Sequence, residues 1–121
     1  MKRLLSFTFA FQGIRDLFQS QPNARLHALA AVLILILGGW LNLDRIEWML
    51  VLLSIFLIFA AEAFNTALEH LTDLVSPEYH VLAGKTKDAA AAGVLLIAMG
   101  VFLVGLLIFV PKLWLRLSFF F

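Results

Sequence analysis

Three long apolar stretches dominate the chain, and short polar segments separate them. An α-helix needs about 20 mostly apolar residues to cross the hydrocarbon core of a bilayer. The pattern therefore predicts an all-α integral membrane protein with a single domain over residues 1–121. Its transmembrane helices are expected over residues 26–43, 46–75 and 86–110.

The amino-terminal segment has a different pattern. Over residues 4–19, Phe7, Phe11, Ile14 and Phe18 recur at helical spacing, and polar residues lie largely off this stripe. The pattern predicts an amphipathic helix that lies on the membrane surface. A helix packed against protein would show the same stripe, and in so short a chain one helix could do both.

The composition fits a membrane protein and argues against other classes. Of the 121 residues, 63% are hydrophobic and only 14% are charged, and the mean hydropathy is +0.99. A soluble domain of this size is far less apolar. The net charge of +1 and the lack of a basic stripe argue against a nucleic-acid partner. Without cysteine, the chain has no disulfide, thiolate metal site or cysteine nucleophile.

The basic residues predict an orientation in the membrane, because cytoplasmic loops are enriched in Lys and Arg. With three spans, the amino-terminal segment and the second loop lie on one side, which holds Lys2, Arg3, Arg15, Arg25, Lys85 and Lys87. The other side holds Arg45, Lys112 and Arg116, together with the interfacial aromatics Trp40, Trp48 and Trp114. The first side is therefore expected to face the cytoplasm.

Acidic residues concentrate at the carboxyl-terminal end of the second predicted span. With Glu62 as the origin and 100° per residue, Asn65, Glu69 and Asp73 share with it an arc of about 80°. A charge at bilayer depth is costly and normally faces a bundle interior or a watery cavity, where it marks a functional site. The alternative is a structural polar seam between helices.

This acidic face suits phosphoryl transfer to a lipid hydroxyl. A carboxylate just inside the interface, with others further out, lies where a lipid headgroup meets a water-soluble reagent. Carboxylates are suitable ligands for Mg²⁺, and phosphoryl transfer needs metal, cation and positioning. Lys87 could bind phosphates, and Asp88 could bind a metal or Lys85. Both Lys87 and Asp88 could equally be ordinary interfacial residues.

Two other patterns do not indicate a site. Gly84-Lys85-Thr86 resembles the end of a phosphate-binding P-loop, but Tyr79 stands where that motif needs its first glycine, and no strand is expected before it. The three histidines lack zinc spacing, and we expect each to form hydrogen bonds at the interface; they are His27, His70 and His80.

The residues around the acidic face resemble the prokaryotic diacylglycerol kinase and undecaprenol kinase family of small membrane lipid kinases. The resemblance extends over nearly the whole chain. The segments that carry it are Glu62-Ala-Phe-Asn65-Thr66-Ala67-Leu-Glu69, then Asp73, Ser76-Pro-Glu78-Tyr79-His80, Leu82-Ala-Gly84 and Lys87-Asp88-Ala-Ala.

The resemblance implies a homotrimer of three-span subunits in the bacterial cytoplasmic (inner) membrane, with its active site on the cytoplasmic side. The implied reaction transfers the γ-phosphoryl group of MgATP to the hydroxyl of diacylglycerol or undecaprenol, and so feeds phospholipid or lipid-carrier metabolism. By the same resemblance, Glu62 is the expected general base, Asn65 orders the site and Glu69 binds the metal. The expected ATP-binding positions are Glu78, Tyr79, His80, Lys87 and Asp88.

One position departs from the family pattern. Where better-known members have a second metal-binding glutamate before the first span, this chain has Gln21. A neutral amide oxygen can bind Mg²⁺ but contributes no charge, which bears on the affinity for Mg²⁺ and on the number of ions bound.

An alternative function is a small proton-coupled transporter that uses Glu62 as its intramembrane carboxylate. That function would leave Glu69, Asp73, Lys87 and Asp88 without a role. A non-catalytic membrane scaffold is a third possibility, and it predicts that Glu62→Gln has no effect on function. The residues do not decide between diacylglycerol and undecaprenol, because both lipids present a hydroxyl to the same chemistry.

Overall fold

The computed structural model describes residues 2–119, with side chains from residue 5 onward, and over that range it is helical and contains no strand. The helices are α1 (Lys2–Ser20), α2 (Pro22–Trp40), α3 (Arg45–Val75) and α4 (Val81–Ser118). By length and composition, α2, α3 and α4 could each cross a membrane. The predicted all-α architecture is therefore confirmed. The side chains of Lys2 and Arg3, which contributed to the predicted orientation, lie outside the described part.

Helix α2 begins and ends before the predicted bounds of 26–43. Pro22 occupies the first turn of α2, where its missing N–H is harmless and its fixed φ suits a helix. At the other end, Asn42 has a φ of 52°, a left-handed conformation that Asn tolerates better than most residues. The helix therefore stops at Trp40, and residues 41–44 form the turn into α3.

Helix α3 follows its prediction to within one residue, because its start is encoded locally. The Asp44 carboxylate accepts hydrogen bonds from the backbone N–H groups of Ile46 and Glu47, at 2.8 and 2.9 Å. The Glu47 side chain accepts in return from the Asp44 N–H at 2.7 Å, which completes a capping box. The 31 residues of α3 span about 46 Å, so the helix extends well past a hydrocarbon core of about 30 Å.

Helix α4 is longer than the predicted 86–110 at both ends. It begins at Val81, where the Nδ1 atom of His80 accepts from the Leu82 N–H at 3.1 Å and caps the first turn. It continues through Pro111 to Ser118 because its last turns pack on the α2–α3 turn. There Lys112 lies 2.9 Å from the Glu47 carboxylate, and the Arg116 guanidinium lies 5.3 Å from the Trp40 ring centroid.

The buried apolar core is small and lies near this same end of the bundle. It consists of Leu41, Leu43, Val51, Ile108 and Phe109. Most other large apolar side chains are exposed on the single chain, and Phe56 and Phe64 on α3 are 70% and 72% exposed. So much exposed apolar surface is typical of a face that contacts lipid or another subunit rather than water.

Helix α1 packs on the bundle only near its carboxyl-terminal end. Leu17 is buried there, and the Phe18 and Phe59 ring centroids are 5.3 Å apart. The rest of the predicted apolar stripe, represented by Phe7 and Phe11, is exposed. Thus one end of α1 packs against protein, and the remaining stripe is free to enter a membrane surface.

The close approach of α2 to the following turn gives a stability prediction. A Cβ atom on Gly38 would lie 2.9 Å from Leu43 Cδ1 and 3.0 Å from Trp48 Cη2, whereas a Cβ on Gly39 would meet nothing within 4 Å. We expect Gly38→Ala to destabilise the protein by about 1–3 kcal/mol through overpacking. Thermal unfolding of the detergent-solubilised protein, followed by tryptophan fluorescence, measures this effect.

The control is Gly39→Ala, the same change one residue along the same helix. It should leave the Tm unchanged or raise it slightly, since Ala is favoured over Gly in a helix by about 0.5–1 kcal/mol. Equal Tm values for the two variants would contradict the packing at Gly38.

Candidate active site

The polar site lies away from the apolar core, where the start of α2 meets the carboxyl-terminal part of α3. Glu62 is only 3% exposed and Thr66 is 8% exposed, and these are the buried polar residues of the described chain. Both lie on α3, one helical turn apart. Thr66 is not among the predicted site residues, although at 40° from Glu62 it borders the predicted acidic face.

Glu62 has one ionisable neighbour in the described chain, His27 of α2. The Nε2 atom of His27 lies 3.5 Å from Glu62 Oε1, which is within ion-pair distance. The same oxygen has no hydrogen-bond partner among the described residues. The contact is therefore close but is not a hydrogen bond. The expectation that His27 is only an interfacial hydrogen-bonding residue missed this proximity.

Asn65 and Glu69 form a hydrogen-bonded pair one turn apart on α3. Asn65 Nδ2 donates to Glu69 Oε1 at 2.9 Å. This arrangement leaves Asn65 Oδ1 buried without a partner, as are Glu62 Oε1 and Thr66 Oγ1. Buried polar atoms are nearly always paired in native proteins, so three unpaired oxygens at neighbouring positions make this a candidate ligand site.

Asp73 and Lys87 connect α3 to α4 at the end of the acidic face. Lys87 Nζ donates to Asp73 Oδ1, and both side chains remain partly exposed. Lys87 therefore lies beside the acidic face, as expected for a phosphate-binding cation, but it is paired with Asp73. Asp88 is exposed on the next position, and no ion pair joins it to Lys85 within the described range.

The remaining predicted ATP-binding residues lie in the short connection between α3 and α4. Glu78 and Tyr79 are exposed, Tyr79 to 92%. His80 caps α4 through Nδ1. A groove of about 430 Å³ opens beside this connection, and Thr72, Ser76, His80 and Thr86 provide its polar lining.

An apolar groove of about 410 Å³ approaches Glu62 between α2, α3 and α4. Among its sixteen lining residues, only His27 and Ser54 are polar. His27 and Phe59 lie near one end of the groove, and Glu62 follows Phe59 by one helical turn. The groove therefore leads from the apolar bundle toward the buried carboxylate, as a hydrocarbon chain attached to a polar headgroup would require.

Gln21 lies at the cap position before α2 and is half-buried. Its side chain makes no capping hydrogen bond. Over the residues that the structure describes, no group of three or more His, Asp or Glu side chains could hold a metal.

Comparison with known proteins identifies the family to which this architecture belongs. The family model for prokaryotic diacylglycerol kinase matches residues 8–109. The chain is 44% identical to the undecaprenol kinase of Bacillus subtilis over 108 residues, which cover 89% of this chain and 88% of that protein. It is 37% identical over 111 residues to the diacylglycerol kinase of Synechocystis, covering 91% of this chain and 63% of the relative.

The diacylglycerol kinase of Escherichia coli is a more distant relative, with 31% identity over 88 residues, or 73% of this chain and 72% of that protein. The acidic face of α3 and the three helices that could span a membrane are consistent with these matches. The chain belongs to the prokaryotic diacylglycerol kinase family of membrane lipid kinases.

Proposed function

We propose that this protein transfers the γ-phosphoryl group of MgATP to the hydroxyl of a membrane lipid alcohol. The family match supports the lipid kinase class, and no observation favours the transporter alternative. The observation that carries the proposal is the placement of Glu62, a buried carboxylate with an unpaired oxygen beyond one end of the apolar groove. A lipid chain in this groove would bring its hydroxyl to that carboxylate.

Glu62 is the proposed general base. As a carboxylate it can only accept hydrogen bonds, so it would accept the proton of the lipid hydroxyl as that oxygen attacks the γ-phosphorus. General base catalysis contributes about 10²–10⁴-fold to a rate. The low exposure of Glu62 keeps bulk water away from the attacking position, which favours transfer to the lipid over hydrolysis of ATP.

Glu69 and Asn65 are the proposed residues for Mg²⁺. Asn65 Nδ2 donates to Glu69 Oε1, and Asn65 Oδ1 is buried without a partner, so both residues offer oxygen atoms to a hard cation. Mg²⁺ usually binds one or two carboxylates together with phosphate oxygens and water, so a small protein ligand set is sufficient. Gln21 could add a neutral amide oxygen because its side chain is not used as a helix cap. Bound Mg²⁺ would neutralise phosphate charge.

The proposed nucleotide site lies around the connection between α3 and α4. It comprises Glu78, Tyr79, His80, Lys87 and Asp88, which this chain shares with the family pattern. Helix α4 directs its amino-terminal N–H groups to this region, and such a helix end favours phosphate. In this proposal the Lys87 ammonium exchanges its contact with Asp73 for a phosphate oxygen.

Undecaprenol is the favoured acceptor. The relative named undecaprenol kinase is 44% identical over most of both chains, whereas the relatives named diacylglycerol kinase described above are 37% and 31% identical. The groove is almost entirely apolar, as a hydrocarbon chain requires.

We also propose a homotrimer in the bacterial cytoplasmic membrane, which agrees with the exposed apolar faces of α3 and α4. Its site is proposed to face the cytoplasm.

The first prediction concerns activity. Purified protein in mixed micelles should transfer label from γ-labelled ATP to undecaprenol, with a higher kcat/KM than for diacylglycerol, and Glu62→Gln should lower kcat by about 10²–10⁴-fold. Thin-layer separation of the labelled lipids measures both. If folded wild-type protein transfers label to neither lipid, the proposed function is rejected. A higher kcat/KM for diacylglycerol would reject only the acceptor.

The second prediction concerns the stability cost of the base. Because Glu62 is buried with an unpaired oxygen, Glu62→Gln should leave the Tm unchanged or raise it. The free energy of unfolding should rise by at most about 1–3 kcal/mol. Glu47→Gln is the matched control and should lower the Tm, because Glu47 accepts from the Asp44 N–H and pairs with Lys112. A lower Tm for Glu62→Gln than for Glu47→Gln would contradict this account.

The third prediction concerns metal. Glu69→Gln should raise the Mg²⁺ concentration needed for half-maximal activity by about tenfold or more, because a neutral amide replaces the one proposed carboxylate ligand. Asn65→Ala should act in the same direction with a smaller shift, since Asn65 is neutral. Activity titrated with Mg²⁺ at fixed total ATP gives these values, and Glu47→Gln provides the control. An unchanged Mg²⁺ requirement in Glu69→Gln would place the ion elsewhere.

A further inference from the structure

His27 lies where the apolar groove meets Glu62. It is one of the two polar residues that line the groove, and its Nε2 atom lies 3.5 Å from Glu62 Oε1. The other polar lining residue, Ser54, precedes Glu62 by about 12 Å along α3. His27 is thus the polar group of the groove that lies next to the buried carboxylate.

The contact between His27 and Glu62 is slightly too long for an ordinary hydrogen bond. The distance exceeds the usual 2.7–3.2 Å of an N–H to O hydrogen bond by only a few tenths of an ångström, roughly. Glu62 Oε1 has no other hydrogen-bond partner in the described part of the chain. Because a carboxylate only accepts, a hydrogen bond between the two residues requires the hydrogen on Nε2.

We infer that His27 is a positioning residue for Glu62. Its Nε2–H group donates to Oε1 and holds the carboxylate toward the groove, which leaves Oε2 free to accept from the lipid hydroxyl. The inference rests on the proposed role of Glu62 as general base. In that reaction the lipid oxygen bonds to the γ-phosphorus and its proton passes to Oε2. The bond from the γ-phosphorus to the bridging oxygen breaks, and its electron pair stays on ADP.

A purely structural role for the contact fits the observations less well. A pair that stabilised the fold would be expected to have full hydrogen-bond geometry, as Glu47 does with the Asp44 N–H. The Glu62 contact is instead left open and joins the groove to the carboxylate. This arrangement suits a side chain that completes its hydrogen bond when substrate fills the groove.

The test uses His27→Leu, which removes the donor, and His27→Gln, whose amide N–H can replace it. In full-length protein, His27→Leu should lower kcat about 10- to 100-fold, a part of what a general base contributes. The KM for MgATP should stay within about twofold, because the nucleotide site is separate. His27→Gln should recover most of the lost rate. The matched control His70→Leu, an exposed histidine on α3, should retain wild-type kcat.

A second comparison separates positioning from general damage. In the Glu62→Gln background, His27→Leu should cause no further loss of rate, because two residues that act as one unit are not additive. Wild-type kcat in His27→Leu, a rate of His27→Gln as low as that of His27→Leu, or an additive loss in the double variant would each overturn the inference. If His27→Leu does not fold, His27→Met replaces it in the same comparisons.

These outcomes are distinct from failure of the proposed function. If wild-type protein labels no lipid, or if Glu62→Gln is fully active, the lipid kinase proposal or the general base is wrong. If wild-type protein is active, Glu62→Gln is inactive and His27→Leu is unaffected, only the inference about His27 is wrong.

Discussion

The proposed chemistry depends on one carboxylate, that of Glu62, being held buried without a full partner inside a helical membrane bundle. Such a group is costly, since burial removes water that a charge requires. Glu62 is held in this state by a helix that continues without interruption through its position. Helices α3 and α4 are joined on both sides of it, by Asp73 with Lys87 at one end and by Glu47 with Lys112 at the other.

The buried apolar cluster and the polar site lie at different ends of the bundle. The buried apolar cluster and the capping box fix the end opposite the acidic face. The groove begins at that cluster, where Val51 and Phe109 line it, and leads toward the end with three unpaired polar oxygens. The cluster and the cap therefore join the helices at one end, and in the proposed function the groove gives a lipid chain room to reach the carboxylate.

In the proposed function, a reaction between a membrane lipid and a water-soluble nucleotide accounts for the order of the polar residues along α3. Glu62 is the most buried of these residues and lies next to the groove. Asn65 and Glu69 form a hydrogen-bonded pair further along α3, and Asp73 pairs with Lys87 in a partly exposed position. In the proposed reaction this order runs from lipid to metal to nucleotide. In that proposal one continuous helix would contact both substrates, because α3 is longer than the hydrocarbon core is thick.

The sequence by itself determined the three membrane helices, the acidic face of α3 and the start of α3, because apolar runs, helical period and a capping box are local properties. Only the tertiary structure decided where α4 ends: the helix continues past the predicted end at residue 110, and Lys112 and Arg116 of its last turns contact Glu47 and Trp40. The proximity of His27 to Glu62 also came from the structure alone. The two residues lie on different helices, and no local pattern specifies how two helices pair.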